Sequence, residues 1–339
     1  MQVIQNNLRV DSSAITVVIP TFNSEEYIAE TLNQVKNIPS STILVVDDQS
    51  NDETLEVVLK TLEDYPDYLV LKAQHRGSPG FARNCGIAIS KTSWIWFLDS
   101  DDVPMPSKLN ELLHTATKEN SDVLIMNYLI RYDNNFAWTP SFDNKYFTAL
   151  CTSDYQVYTN IIQEPKLVRL SPHPSRSIYS LDFLRNNHLR FDENENFEDG
   201  SFWPTMLAVT NSVLLWNWPQ VMYRVRQNSI TYSNEIGRKR FLLSQFEKIV
   251  TFEDLLSDQF RFARYEIFLY GMEMISWPLG ELSDNALVEY KNLSRNFLKK
   301  LDGSWFPPGK TFTRENKLAL TRTLIRFRVF KKAIKLWLN

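Results

Sequence analysis

Apolar residues in the first third of the chain gather in three short runs, Ile15 to Ile19, Ile43 to Val46 and Trp94 to Leu98, each rich in β-branched or aromatic side chains. Runs of that kind read as buried strands. Between them, Glu25 to Val35 and Asp52 to Leu62 carry apolar positions at helical spacing, and Ser50, Asn51 and Asp52 are candidate N-caps for the second segment. A further helix is expected over Phe81 to Ser90. Strand and helix therefore alternate, which is the βαβ pattern of a mostly parallel sheet flanked by helices, and the fold class is α/β.

From Ser121 the pattern is mixed, with a strand expected at Val123 to Leu129 and an apolar stretch from Ser212 to Tyr223. After Asn234 the spacing is helical to the end, with no repeats or low-complexity tract. The expected organisation is an α/β domain over 12–232 and a smaller helical region over 233–339. At its end Leu320, Leu324, Phe327, Phe330, Ile334 and Trp337 form an apolar helical stripe, with Arg322, Arg326, Arg328, Lys332 and Lys335 largely off it. Such a helix could lie on an anionic membrane surface, or pack against the rest of the helical region or a second subunit; both readings stay open.

Composition narrows the picture. With 339 residues and 43% hydrophobic side chains the chain can bury a large core. A formal charge of −3 hides an asymmetry, since the last thirty residues carry +8 and the remainder −11. That leaves no global basic footprint for nucleic acid. Cys85 and Cys151 form no metal-binding pattern and no disulfide framework, which fits a reduced, cytoplasmic setting. No basic n-region with an apolar core opens the chain, and no apolar run approaches the roughly 20 residues that cross a bilayer. The expectation is a cytoplasmic protein, attached to a membrane at most peripherally through its last helix.

Ligands of open parallel sheets bind beyond the carboxyl ends of the strands. Here the first strand runs into Pro20, Thr21, Phe22, Asn23 and Ser24, the second into Asp47, Asp48, Gln49 and Ser50, and the third into Asp99, Ser100, Asp101 and Asp102. Parallel strands would collect these carboxylates on one edge, where like charges oppose one another's ionisation. A hard divalent cation, Mg²⁺ or Mn²⁺, would relieve that cost, and such sites commonly share the ion with substrate phosphates. Alternatively, Asp102 caps a helix that starts near Ser107.

The stretch from Val17 to Leu113 resembles the family-2 glycosyltransferases with the GT-A fold. The matching pieces are Val-Val-Ile-Pro-Thr-Phe-Asn (17–23), Val-Val-Asp-Asp-Gln-Ser-Asn-Asp (45–52), Ala-Arg-Asn-Cys-Gly (82–86) and Phe-Leu-Asp-Ser-Asp-Asp (97–102). The resemblance implies inverting transfer of a sugar from a nucleoside-diphosphate donor, usually UDP-linked, to a hydroxyl of a cell-envelope glycan, teichoic acid, capsule or exopolysaccharide, or lipid-linked sugar. It assigns Pro20 and Thr21 to the base and ribose, Asp48 to the base, Arg83 to the diphosphate or ribose, and Asp99 to the ribose with Ser100 in the same loop. Asp101 becomes the first metal ligand, with Asp102 beside it, and His75 a weaker donor-site candidate. Thr21 and Asn23 could equally serve the turn.

An inverting reaction also needs a base for the acceptor hydroxyl. In Asn-Phe-Glu-Asp-Gly-Ser-Phe-Trp (196–203), which resembles the family's Glu-Asp-x-x-Phe, Asp199 is that base with Glu198 in support, although Asp199 could also cap the helix expected at Phe202 to Val209. Tyr223 to Thr231 resembles the segment that closes the family's catalytic domain; there Arg224 or Arg226 would clamp the diphosphate or make structural salt bridges. His173, between two prolines, is expected to serve the structure. Gln49 departs from the family by replacing a glycine, which puts the turn geometry in question.

A nucleotidyltransferase that makes nucleotide-sugars is the competing enzyme class. It needs a glycine-rich phosphate loop after the first strand, yet the first glycine in the chain is Gly77. The same absence removes dinucleotide-binding and P-loop enzymes. A non-catalytic sugar-nucleotide-binding module is disfavoured by the intact acid cluster and Asp199.

Overall fold

The computed structural model describes residues 1–8, 13–74, 77–133, 137–226, 239–280, 282, 284–301 and 305. His75, the expected boundary at 232/233 and the basic helix from Leu320 lie outside these residues. The chain begins with strand β1 (Gln2–Asn6), then β2 (Ile15–Thr21), α1 (Ile28–Val35), β3 (Ser41–Asp47), α2 (Thr54–Leu62), β4 (Tyr68–Lys72), α3 (Pro79–Ile89) and β5 (Trp94–Phe97). It continues through β6 (Val103–Pro104), α4 (Leu109–Lys118), β7 (Val123–Met126), β8 (Leu129–Tyr132), β9 (Trp138–Pro140), α5 (Asn144–Leu150) and β10 (Tyr155–Tyr158). After β11 (Ser177–Ser180), α6 (Leu181–Asn186), α7 (Asp199–Val209), β12 (Val213–Trp216) and β13 (Val221–Val225) come the helices α8 (Phe241–Thr251), α9 (Glu253–Leu256), α10 (Arg261–Ser276) and α11 (Asp284–Lys300).

The strands form a nine-stranded sheet ordered β1-β4-β3-β2-β5-β11-β7-β12-β10 and a four-stranded sheet ordered β6-β13-β8-β9. Strands β4, β3, β2 and β5 are parallel, so their carboxyl ends share one edge, as expected. β11 enters between β5 and β7 antiparallel to both. The stretch Ser212 to Tyr223, one apolar block in the sequence, divides at Asn217–Gln220 into β12 of the large sheet and β13 of the small one.

The central strands read as unbroken apolar runs because both faces of the sheet are covered. Val18, Leu44, Val46 and Phe97 enter one core layer, while Val17, Ile19, Val45 and Trp96 enter the other. The first layer also contains Phe246, Ile267, Phe268 and Met272 from α8 and α10. The C-terminal helices thus share a core with the sheet.

Two glycines allow the closest contacts. A Cβ on Gly86 would lie 2.5 Å from a Val18 methyl, so only glycine lets α3 sit this close to β2; a Cβ on Gly80 would lie 2.0 Å from the carbonyl oxygen of Asp192. α3 begins at Pro79, two residues ahead of the expected Phe81, because proline suits the first turn of a helix.

Candidate active site

The loops after β2 and β3 are stitched together. Asp48 N donates to the Thr21 carbonyl at 2.8 Å, Asn23 N to Ser50 Oγ at 3.0 Å, and Asn51 N to Asn23 Oδ1 at 3.0 Å. Of the residues expected to cap α2, only Asp52 bonds the first helical amide, accepting from Thr54 N at 3.1 Å; Ser50 and Asn51 join the two loops instead. Asn23 and Gln49 both adopt left-handed backbone, with φ of 48° and 63°. Gln49 therefore keeps the turn that a glycine would make more cheaply. Asp48 Oδ1 accepts from Gly77 N at 2.8 Å, which fixes the carboxylate at the entrance of α3. Pro20 and Thr21 are buried at the end of β2, and Thr21 Oγ1 has no hydrogen-bond partner among the described residues.

Beyond β5, Ser100 Oγ bonds Ser24 Oγ at 2.8 Å, joining the acidic segment to the first loop. Asp99 is partly exposed and pairs with Arg83 Nη2 at 2.7 Å. Asp101 accepts from Arg226 Nε at 2.6 Å. Its proton affinity is raised, chiefly by burial, against the opposing pull of Arg226. Asp102 is fully buried, and its proton affinity is raised further by burial and by its neighbours Asp99 and Asp101. One oxygen accepts from Arg224 N at 3.0 Å; the other lies 3.4 Å from His173 Nε2. Asp102 does not cap the helix near Ser107, whose first turn has no side-chain cap.

His173, expected to serve the structure, caps the Pro174–Arg176 turn and also lies beside the acidic segment. Ligand atoms of Asp99, Asp102 and His173 lie within 4.8 Å of one another. Burial lowers the His173 pKa to about 4, so the ring is neutral near pH 7. Because Nδ1 accepts from Ser175 N at 3.1 Å, the proton sits on Nε2, facing Asp102. The carboxylates thus suit a hard cation as they stand, and His173 would join as a ligand only after a change of tautomer.

Arg83 was expected to face a diphosphate. Instead it is 2% exposed, and its two terminal nitrogens go to Asp99 and Glu198, with the guanidinium 5.3 Å from the Phe191 ring centroid. It lies beneath the site and ties the β5 loop to the start of α7. Glu198 is buried, and burial raises its proton affinity against the pull of Arg83. Asp199 opens α7 and is partly exposed. Burial first, then the charges of Glu198 and Asp99, push its pKa up to about 7, with Arg83 opposing. The N-cap position of α7 belongs to Glu198, which makes no side-chain cap bond, so capping does not explain the acidic pair.

Arg224, 5% exposed, pairs with Glu30 and with Asp133 at 2.7 Å, and its Nε donates to the Asp101 carbonyl at 2.7 Å. Arg224 is thereby structural, whereas Arg226 is partly exposed above Asp101. Both guanidinium carbons sit 5.1 Å from the Tyr27 ring centroid, a contact that no sequence pattern signalled.

Residues 16–175 match Glycosyl transferase family 2. Poly(ribitol-phosphate) beta-N-acetylglucosaminyltransferase TarP of Staphylococcus aureus is 28% identical over 193 residues, 51% of this chain and 58% of TarP. The match therefore spans little more than half of that relative. Among solved structures, S. aureus TarS in complex with UDP superposes with a TM-score of 0.67 at 19% identity, covering 86% of this chain and 82% of TarS. A mannosyltransferase from Pyrobaculum calidifontis in complex with GDP-Man and Mn²⁺ gives 0.57 at 12% identity, covering 98% and 86%. Both likenesses establish the GT-A-type fold. No helix among the described residues is long and apolar enough to cross a membrane.

Proposed function

We propose, from the premise that the chain carries a family-2 glycosyltransferase domain with a GT-A fold, that it is an inverting enzyme moving a sugar from a UDP-linked donor to a hydroxyl of a cell-envelope polymer. The observation that carries this reading is Asp199: a carboxylate whose pKa is pushed to about 7, at the head of α7, electrically coupled to Asp99 of the acidic segment. A base works best when its pKa lies near the operating pH, and Asp199 meets that condition. It would take the proton from the acceptor hydroxyl while the donor diphosphate departs on the opposite face of the sugar.

On the donor side, Thr21 and Asp48 would receive the nucleoside, with Pro20 shaping the wall. Asp101 and Asp102, with Asp99 alongside, would hold Mn²⁺ or Mg²⁺, which when bound neutralises charge growing on the leaving diphosphate. The second Asp102 oxygen is buried and accepts no hydrogen bond of good geometry, with only His173 Nε2 nearby at 3.4 Å, the kind of atom a cation satisfies. Arg226 would exchange its bond to Asp101 for one to the diphosphate, an exchange its partial exposure permits. The match to TarP supports a polyol-phosphate polymer as acceptor, and the likeness to TarS supports UDP as carrier.

The test is thermal stabilisation by UDP with and without Mn²⁺, followed by transfer assays with UDP-N-acetylglucosamine and UDP-glucose onto poly(ribitol phosphate). A ligand at 100 times its Kd adds about 2.7 kcal/mol of stability. Wild type is expected to show a Mn²⁺-dependent shift that Asp101→Ala and Asp102→Ala lose. Equal UDP shifts with and without the ion in the wild type would remove the metal from this reading.

A further inference from the structure

Beyond the Arg83–Glu198 pair, the turn that carries Asp199 is held from the C-terminal helices. Phe197, two residues before it, takes left-handed backbone with φ of 61°, a conformation strained for a non-glycine residue. Such a conformation persists only where its surroundings impose it. Its ring meets Trp277 edge-on at 5.8 Å, and the buried Lys239 ammonium sits 3.7 Å above the Trp277 ring. One residue past Asp199, the Gly200 carbonyl accepts from the buried Tyr270 hydroxyl at 3.0 Å. Ser201 Oγ donates to Gln245 Oε1 at 2.5 Å, and a Cβ on Gly200 would lie 2.8 Å from the sulfur of Met274. Lys239, Gln245, Tyr270, Met274 and Trp277 all lie in the C-terminal helical segment, in or beside α8 and α10.

We propose that this helical segment is a positioning device for the reaction: Tyr270 and Trp277 grip the Phe197–Ser201 turn from both sides of Asp199 and aim that carboxylate at the acid-lined edge of the sheet. The inference rests on the reading of Asp199 as base. A side chain that only braces the fold would contribute stability without changing the chemical step. A positioning residue sets where the carboxylate points and how much water reaches it, and a misplacement of about 1 Å can cost roughly 100-fold in rate. Tyr270 touches the turn through one hydrogen bond, and its own proton affinity is raised by burial and by the charge of Asp199, which places the two groups within electrical reach.

The experiment uses the full chain with UDP-N-acetylglucosamine and poly(ribitol phosphate), comparing Tyr270→Phe, Trp277→Leu and Trp277→Phe with wild type, well below each variant's Tm. Trp277→Leu is expected to lower kcat by about tenfold or more while KM for the donor stays within about twofold. The acid limb of its rate profile should move down, because water entering the turn relieves the burial that raises the Asp199 pKa; Trp277→Phe should restore much of both. Tyr270→Phe, nearly isosteric, should fold and lose a smaller part of kcat. Amide hydrogen exchange over 197–201 supplies an activity-independent reading: faster exchange there, with β2 to β5 unchanged, is expected. Wild-type kcat, acid limb and exchange in both Tyr270→Phe and Trp277→Leu would overturn the proposal. Asp199→Asn is run alongside, since retained turnover in that variant would instead remove the base assignment itself.

Discussion

Two arginines bind carboxylates of one acidic segment under opposite conditions. Arg83 is held on Asp99 and Glu198 with its side chain 3% exposed, whereas Arg226 meets Asp101 with 26% exposed. Burial makes the first pair costly to separate: removing one partner leaves an uncompensated charge in a poorly solvated place. The second pair is less enclosed on its arginine side, so opening it leaves the guanidinium closer to water. The acidic segment thus has a buried arginine joining β5 to α7 on one side and a partly exposed, ion-paired arginine on the other.

Substituting each arginine is the strongest way to break that contrast. Arg83→Ala should lose about 3–5 kcal/mol of stability by chemical denaturation, the penalty of a broken buried pair, and should abolish transfer as the β5 loop and α7 separate. Arg226→Ala should cost less stability than Arg83→Ala and appear mainly as a higher donor KM. Similar losses of stability in the two variants would erase the distinction.

The pH dependence sharpens the contrast next. Asp199 must be deprotonated to accept a proton, so kcat should rise with pH through about 7 and level above it. Stability should run the other way: the native carboxyl keeps its proton to about 7, while the unfolded one releases it near 3.9. The native state therefore binds more protons across that window, and the Asp199 contribution to stability falls as pH rises through it. Comparing pH-dependent denaturation of wild type and Asp199→Asn isolates that contribution. A smaller effect is expected from Gln49→Gly, which relieves a left-handed residue away from both clamps and should stabilise by at most about 1 kcal/mol, leaving kcat unchanged.

How legible each region was follows from how its residues are spaced. β2, β3 and β5 were readable because strands buried on both faces become continuous apolar runs, and their polar ends fall next to them in the sequence. The acid-lined edge came with them. β4 escaped as a five-residue Tyr-Leu-Val-Leu-Lys segment after Pro66, and β11 because Ser-Ile-Tyr-Ser has no apolar run and pairs antiparallel. Asp199 was visible only through its motif. Arg83 was expected at the diphosphate, but its partner Glu198 lies 115 residues away, and no local pattern reports such a pairing. His173 stood alone between prolines; the signal, in hindsight, was the buried Ser175–Ser177 stretch after it, which turns the segment inward beside β5. The grip of α8 and α10 on the Asp199 turn left no trace in spacing, because it arises from packing across two regions with separate periodicities.

The central claim is that donor binding and proton abstraction are performed by different carboxylates, and Asp199→Asn tests it most directly. UDP-N-acetylglucosamine binding by calorimetry, in the presence of Mn²⁺, and transfer to poly(ribitol phosphate) should be measured on the same preparation. An unchanged Kd is expected, with kcat reduced by about 100-fold to 10,000-fold, the range a positioned base contributes. Donor binding and turnover that fall together, or turnover that survives, would contradict it.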